Sequence, residues 1–193
     1  MSKPTIYGIS ASRAIRSIWA IEEVGIDFEH QPVSFREDSK TPEYLAVNPN
    51  GRIPALVDGD VRLFESMAIN LYLAKTYGGD LYPKDPVEEA RTWQWSFWGM
   101  TELEPHLMQM VLHKVMLPED KRKPALVEGA AREIQRPLLV LDAHLKGRDY
   151  LLGGAFGIAD LNVAAVLGMA EFVGFDYSEH AEVRRWMGSS ERT

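Results

Sequence analysis

The chain has 193 residues, 46% of them apolar, which is enough to bury one large or two small hydrophobic cores. A net charge of −7 and a pI near 5.3 argue against nucleic acid or an anionic membrane as the main partner. The absence of cysteine excludes disulfides, metal-thiolate sites and a cysteine nucleophile. Since no apolar run is long enough to span a bilayer and the start lacks the apolar core of a signal peptide, we expect a cytoplasmic protein.

The first part of the chain alternates strand and helix patterns. In chain order, the predicted elements are a strand over 5–9, a helix over 12–23 that closes at Gly25, a strand over 28–35, a short helix over 41–47, a hairpin over 55–64 and a helix over 66–77. This βαβαββα order is typical of a thioredoxin-like domain.

From residue 88 onward every long segment has helical periodicity. The predicted helices cover 88–116, 124–146, 158–172 and 180–187. Pro105 should kink the first of them, because it removes a backbone donor. A second signal is the pair Gly157 and Asp160, in which an acidic side chain three residues into a helix can reach back to the backbone at its start.

The segment over 78–86 is rich in Gly, Pro and Asp and marks a domain boundary. The sequence therefore predicts an α+β thioredoxin-like domain over 1–79, a linker over 80–87 and an all-helical domain over 88–193.

Residues 48–66 carry the strongest functional signal. Ile53-Pro54 is an X-Pro step ahead of a strand, where a cis bond would present the Ile53 main chain to an extended ligand. Asp58-Gly59 turns the hairpin, and Glu65-Ser66 then opens a helix whose N–H groups and positive dipole end suit a carboxylate. Glu65 adds a negative charge for an ammonium group. The pattern predicts a small anionic peptide as ligand.

These residues resemble the glutathione transferase family, whose pattern runs Asn-Pro-x-Gly-x-(Val/Ile)-Pro, then Asp-Gly, then Glu-Ser. The resemblance covers nearly the whole chain, and the start over 7–13 is most similar to serine-type members of the phi, theta and related bacterial kinds. It implies the cytosolic glutathione transferase architecture. It also implies detoxifying conjugation of glutathione, as co-substrate, to an apolar electrophile, with no metal.

By this resemblance, Ser12 donates a hydrogen bond to the glutathione thiolate. Ser10 is the second candidate, because the position of the first helix leaves the register uncertain by a residue or so. Ser12 could also serve only as the cap of that helix.

The resemblance also assigns the remaining parts of the tripeptide. Ile53 and Pro54 would pair with the cysteinyl unit, and Glu65 and Ser66 would hold the γ-glutamyl end. Lys40 and Arg52 would meet the glycine carboxylate, although each alone could be ordinary solvated surface.

A pocket for the second substrate is predicted on the kinked helix. His106, Met110 and His113 share one face at i, i+4 and i+7, a spacing that a plain core stripe also gives.

The resemblance further implies a homodimer. Several dimeric classes place an aromatic residue near the loop of Asn50 as a plug into the partner subunit, so a polar residue there predicts a more hydrophilic dimer contact. Two alternatives to conjugation stay open. One is a non-catalytic glutathione-binding, hydrophobe-binding or protein-interaction adaptor with the same fold. The other is a glutathione-dependent isomerase, dehalogenase or peroxidase.

Overall fold

The computed structural model describes residues 3–190. The chain divides into two compact units, over 1–83 and 84–193. The segment predicted as a linker over 80–87 is partly ordered into short elements: a 3-10 turn at Gly79–Leu81 and the start of a helix at Pro86. Asp85 caps that helix by accepting the N–H groups of the next turn.

The first unit has the predicted βαβαββα order, so the fold class is confirmed. Its strands and helices are β1 (Thr5–Tyr7), α1 (Ala14–Glu23), β2 (Glu29–Gln31), α2 (Pro42–Leu45), β3 (Ala55–Asp58), β4 (Val61–Phe64) and α3 (Ser66–Tyr77). The strands β1 and β2 are shorter than the sequence predicted. Gly8 turns the chain out of β1 with a φ of 134°, and Pro32 lacks the donor that would extend β2.

The four strands form one sheet in the order β2-β1-β3-β4. β1 runs parallel to β2 and antiparallel to β3, and Tyr7 lies opposite Ala55. Ala55 in turn lies opposite Phe64 of β4. The ends of β1 and β4 and the beginning of β3 therefore meet at one end of the sheet, which places the segments after Tyr7, before Ala55 and after Phe64 close together.

Helices α1 and α3 pack together in this unit, and fully buried side chains make its core. Ile6 and Leu56 supply the sheet side, and Ile21, Ile69 and Leu73 supply the helix side. Burial of branched apolar side chains holds the two helices in place, and with them the helix starts at the end of the sheet.

The second unit is helical among its described residues, 84–190. Its helices are α4 (Pro86–Trp98), α5 (Glu104–Val111), α6 (Pro124–Glu133), α7 (Gln135–Leu145), α8 (Ile158–Phe172) and α9 (Ala181–Ser190). Within residues 3–190, no helix is both long and apolar enough to cross a membrane.

The predicted helix over 88–116 is interrupted rather than continuous. π-helical turns at Gly99–Leu103 and Leu112–Met116 flank α5, and Pro105 occupies the first turn of α5, where its missing N–H is tolerated. The predicted helix over 124–146 likewise divides at Ile134, just before Pro137 in the first turn of α7.

Asp160 ties three parts of the helical unit together. Its side chain is fully buried and accepts the N–H of Gly157, as predicted, at 3.1 Å. It also accepts the backbone N–H of Leu151 and the indole N–H of Trp186, both at 2.8 Å. Burial raises the pKa of Asp160 to about 6, against the opposing effect of these donors.

Replacing Asp160 tests this anchor. We expect Asp160→Asn to lower the free energy of unfolding by about 3 kcal/mol, because the amide turns a donor toward buried N–H groups. Urea unfolding followed by circular dichroism measures the loss. Asp149→Asn is the control, since its exposed carboxylate has only a 3.8 Å ion pair to Arg185. Equal stabilities for the two variants would contradict the anchoring role.

The same carboxyl predicts a pH dependence. The folded pKa of about 6 lies above the unmodified value of 3.8, so between these values the folded chain holds a proton that the unfolded chain releases. The contribution of Asp160 to the free energy of unfolding should therefore fall as pH rises from about 4 to about 6. The difference in stability between wild type and Asp160→Asn should narrow over that range, and a difference that widens would show a lowered pKa instead.

Candidate ligand-binding site

The sheet register gathers the predicted site residues of the first unit at one end of the sheet. The segment of Ser10 and Ser12 follows β1, Ile53 and Pro54 precede β3, and Glu65 follows β4. A short peptide lying across this end can meet a main-chain edge and two helix starts.

The Ile53 main chain is available to a ligand. The Ile53–Pro54 peptide bond is cis, which confirms the prediction. No hydrogen bond among residues 3–190 uses the N–H or C=O of Ile53. The side chain is half-buried and packs against the cluster of Val33, Tyr44 and Ala55. A fixed side chain and an unpaired main chain make this residue an edge for pairing with an extended ligand.

The loop before Ile53 is held by a dense set of hydrogen bonds. Asn48 is buried; its Oδ1 accepts both the backbone N–H and the side-chain amide of Asn50, at 3.0 and 3.1 Å. Its carbonyl oxygen accepts the N–H of Gly51 at 2.9 Å. Asn50 thus closes the loop locally, which gives this polar residue a structural role that the sequence did not indicate.

Ser12 is engaged with the backbone at the start of α1. Its hydroxyl donates to the carbonyl oxygen of Ile9 at 2.6 Å and accepts the N–H of Ala14 at 3.1 Å. Ser12 is half-buried, whereas Ser10 is exposed. Ser12 is not the N-cap of α1, because that position is Arg13, but its oxygen accepts the N–H of the first helical residue. A bound anion could receive its hydrogen bond only if the hydroxyl proton turned away from Ile9.

Gly8 brings the start of α1 close to Ile53. A Cβ added at Gly8 would lie 2.6 Å from the Cβ of Ala14 and 3.2 Å from the Cβ of Ile53. The carbonyl oxygen of Gly8 also accepts a hydrogen bond from His30 Nε2 at 2.7 Å. Gly8 is thus the point at which the first helix and the unpaired main chain meet.

Glu65 has the backbone conformation of a strained residue. It is the only non-glycine residue among those described with a positive φ, at 72°, and it forms the N-cap of α3 without a capping hydrogen bond from its own side chain. Ser66, the first residue of α3, is buried. The exposed Glu65 carboxylate therefore does not cap the N–H groups of the first turn of α3.

Lys40 and Arg52 differ in their surroundings. The Lys40 ammonium donates to the carbonyl oxygen of Gly51, which keeps it beside the loop that leads into Ile53. Arg52 is exposed. Lys40 precedes α2 and Arg52 follows it, and the hydrogen bond to Gly51 brings the Lys40 ammonium beside the residue that precedes Arg52.

The three residues predicted to line a second pocket do not share one environment. Met110 is 1% exposed, and His113 is buried with its Nδ1 accepting the N–H of Lys123 at 3.3 Å. His106 is half-buried. Because His113 belongs to the π-helical turn after α5, the regular i, i+4, i+7 spacing does not continue through it. The pocket assignment stays a prediction.

Residues 3–190 contain no group of three or more His, Cys, Asp or Glu side chains arranged to hold a metal ion.

The close approach at Gly8 gives a testable consequence. We expect Gly8→Ala to lower the free energy of unfolding by about 3 kcal/mol, because the new methyl group must displace α1 or Ile53. Gly153→Ala is the matched control, since Gly153 has a similar φ of 139° and open space around it. Urea unfolding measures both, and equal losses would show that φ alone, and not the contact, requires glycine at position 8.

Comparison with known proteins assigns the architecture. Residues 2–75 match the model of the glutathione S-transferase N-terminal domain, and residues 103–190 match that of the C-terminal domain. The chain is 37% identical to glutathione S-transferase 3 of Zea mays over 171 residues, which are 85% of this chain and 77% of that protein. It is 34% identical to glutathione S-transferase F9 of Arabidopsis thaliana, over 81% of this chain and 75% of that one.

Solved structures of glutathione S-transferases share this architecture. The theta class glutathione S-transferase of Xanthomonas axonopodis pv. citri, with glutathione bound, superposes with a TM-score of 0.90 at 30% identity, over 98% of this chain and 92% of that chain. Glutathione S-transferase-I bound with lactoylglutathione gives 0.91 at 27% identity, over 100% and 95%. The chain therefore belongs to the glutathione S-transferase family.

Proposed function

We propose that this protein binds glutathione along the main chain of Ile53 and transfers its thiolate to an apolar electrophile. The observation that carries the proposal is the unpaired Ile53 main chain, which lies beside the starts of two helices at one end of the sheet. The N–H and C=O of Ile53 pair with the cysteinyl unit, with Pro54 fixing the turn into β3. This places the cysteinyl sulfur toward the start of α1.

The two ends of the tripeptide then meet opposite charges. The γ-glutamyl carboxylate lies at the N-terminus of α3 by Ser66, and its ammonium group lies at Glu65. The glycine carboxylate lies toward Lys40 and Arg52. This polarity matches an anionic peptide better than any neutral ligand.

The Ser12 hydroxyl stabilises the thiolate by turning its proton from the Ile9 carbonyl to the sulfur, while its oxygen keeps the Ala14 N–H. A thiol of pKa about 8.5 is about 3% ionised at pH 7, and lowering the pKa by about two units makes it mostly thiolate. The accompanying loss of nucleophilicity leaves a net gain of about threefold. Orientation of the two reactants must therefore supply the larger share of the acceleration.

The reaction is a substitution or addition at an electrophilic carbon. With an aryl halide, the carbon–sulfur bond forms, the halide leaves with the bonding pair, and the thiol proton passes to solvent. The second substrate is apolar, and His106, Met110 and His113 of the helical unit are the proposed lining of its pocket. His106 is the least buried of the three.

The protein acts as a homodimer. Exposed aromatic side chains support this assignment: Trp93 and Phe97, one turn apart on α4, are 42% and 60% exposed in the single chain. Asn50 is turned back onto its own loop and supplies no aromatic plug.

The role of Ser12 is tested by substitution. We expect Ser12→Ala to lower kcat/KM for a chromogenic aryl halide at pH 7 by at least about tenfold, through loss of a charge-assisted hydrogen bond, and to change the Kd for glutathione less than about twofold. The apparent pKa of the pH–rate profile should rise. Ser12→Thr, which keeps the hydroxyl, should retain most activity.

Ser10→Ala is the matched control, because Ser10 is exposed next to the same helix start. A loss in Ser10→Ala with none in Ser12→Ala would transfer the role to Ser10. Glutathione binding without turnover of several electrophiles by the wild type would indicate an adaptor instead of an enzyme.

Glu65→Gly separates binding from stability. Glycine relieves a positive φ that costs about 1–3 kcal/mol, against about 0.5–1 kcal/mol of added chain entropy, so the free energy of unfolding should rise by about 1 kcal/mol. Loss of the carboxylate should weaken glutathione binding by about tenfold or more. Urea unfolding and calorimetric titration measure the two effects. A variant that loses stability and keeps affinity would show that Glu65 has no part in the site.

A further inference from the structure

The peptide unit before Ile53 is held by two buried donors. The carbonyl oxygen of Arg52 accepts a hydrogen bond from the Tyr44 hydroxyl at 2.6 Å and another from Asn48 Nδ2 at 2.7 Å. Tyr44 is 4% exposed and Asn48 is 1% exposed. Both lone pairs of an exposed residue's carbonyl are thus used by interior side chains.

This arrangement fixes the direction of the Ile53 N–H. The Arg52–Ile53 peptide is trans and planar, so its N–H points away from its C=O. Holding the oxygen toward Tyr44 and Asn48 therefore turns the Ile53 N–H outward, where no group among residues 3–190 accepts it. A carbonyl that accepts two hydrogen bonds also polarises its peptide and makes the N–H a stronger donor.

We propose that Tyr44 and Asn48 are positioning residues for glutathione, holding the Arg52–Ile53 peptide so that its N–H is aimed at the cysteinyl carbonyl. This inference rests on the proposed function and adds two residues to it. Neither side chain touches the ligand; each acts through the peptide that does.

Both donors are themselves held in one orientation. The amide oxygen of Asn48 accepts two hydrogen bonds from Asn50, which leaves its amide nitrogen facing Arg52. The Tyr44 ring packs against Tyr7 with centroids 6.0 Å apart. Burial raises the pKa of Tyr44 to about 12, so its hydroxyl keeps its proton throughout the range of enzyme assays.

Tyr44→Phe tests the proposal, because it keeps the ring and removes one donor. We expect the Kd for glutathione and for S-methylglutathione to rise about fivefold, the effect of one hydrogen bond, with the KM for glutathione rising in parallel. The kcat at saturating glutathione and the KM for the electrophile should change less than about twofold. Tyr44→Phe with Asn48→Ala should weaken binding further.

Tyr72→Phe is the matched control. Its hydroxyl also donates to an oxygen of the same unit, Asp58 Oδ2 at 2.8 Å, but lies in the second half of α3, away from the helix start. Loss of a comparable hydrogen bond there should leave the Kd for glutathione unchanged. Equal affinities for wild type and Tyr44→Phe, or equal losses in Tyr44→Phe and Tyr72→Phe, would overturn the proposal.

Amide hydrogen exchange of the wild type gives a test that needs no variant. The Ile53 amide should exchange rapidly alone and become protected when glutathione is added. Protection of this amide without glutathione would show that the peptide faces inward and would overturn the inference. Failure of the wild type to bind glutathione at all would instead overturn the proposed function, so the two failures are distinguishable.

Discussion

The pairing of Tyr7 with Ala55 and of Ala55 with Phe64 is the constraint on which the site depends. Side chains alternate between the faces of a sheet, so a slip of one residue in either ladder would turn buried Ile6 and Leu56 to the wrong face. The hydrophobic core therefore enforces the register. The register in turn brings the start of α1, the Ile53 main chain and the start of α3 to one end of the sheet. The same residue pairs thus determine both the packing of the core and the geometry of the proposed site.

Unusual backbone features are concentrated at the proposed glutathione site. Gly8 allows a close approach that a side chain would block, Glu65 holds a positive φ, and Ile53 leaves its main chain unpaired. In an ordinary loop, each of these features would lower the free energy of unfolding. In the helical unit the main polar anchor is a side chain: the fully buried Asp160 carboxyl accepts hydrogen bonds from Leu151, Gly157 and Trp186. There, the polar interactions fix the packing of helices, and in the first unit they fix the direction of the main chain.

Much of this could be predicted from the sequence, because the signals were local. The hairpin and its turn, the cis Ile53–Pro54 bond and the bounds of α3 follow from residues adjacent in sequence. The Tyr44 contact to Arg52 could not be predicted, since it joins a short helix to a later loop and has no periodic pattern. The π-helical turns around α5 were also missed, because their sequence periodicity is close to that of an α-helix. The predicted alignment of His106, Met110 and His113 assumed an unbroken helix.

A crystal structure of the protein with glutathione tests the central claim most directly. The account predicts an extended tripeptide whose cysteinyl N–H and C=O lie at hydrogen-bond distance, about 2.9 Å, from the C=O and N–H of Ile53. Its γ-glutamyl carboxylate should lie at the first turn of α3 and its sulfur near the start of α1. Glutathione bound elsewhere, with the Ile53 main chain still unpaired, would contradict the account.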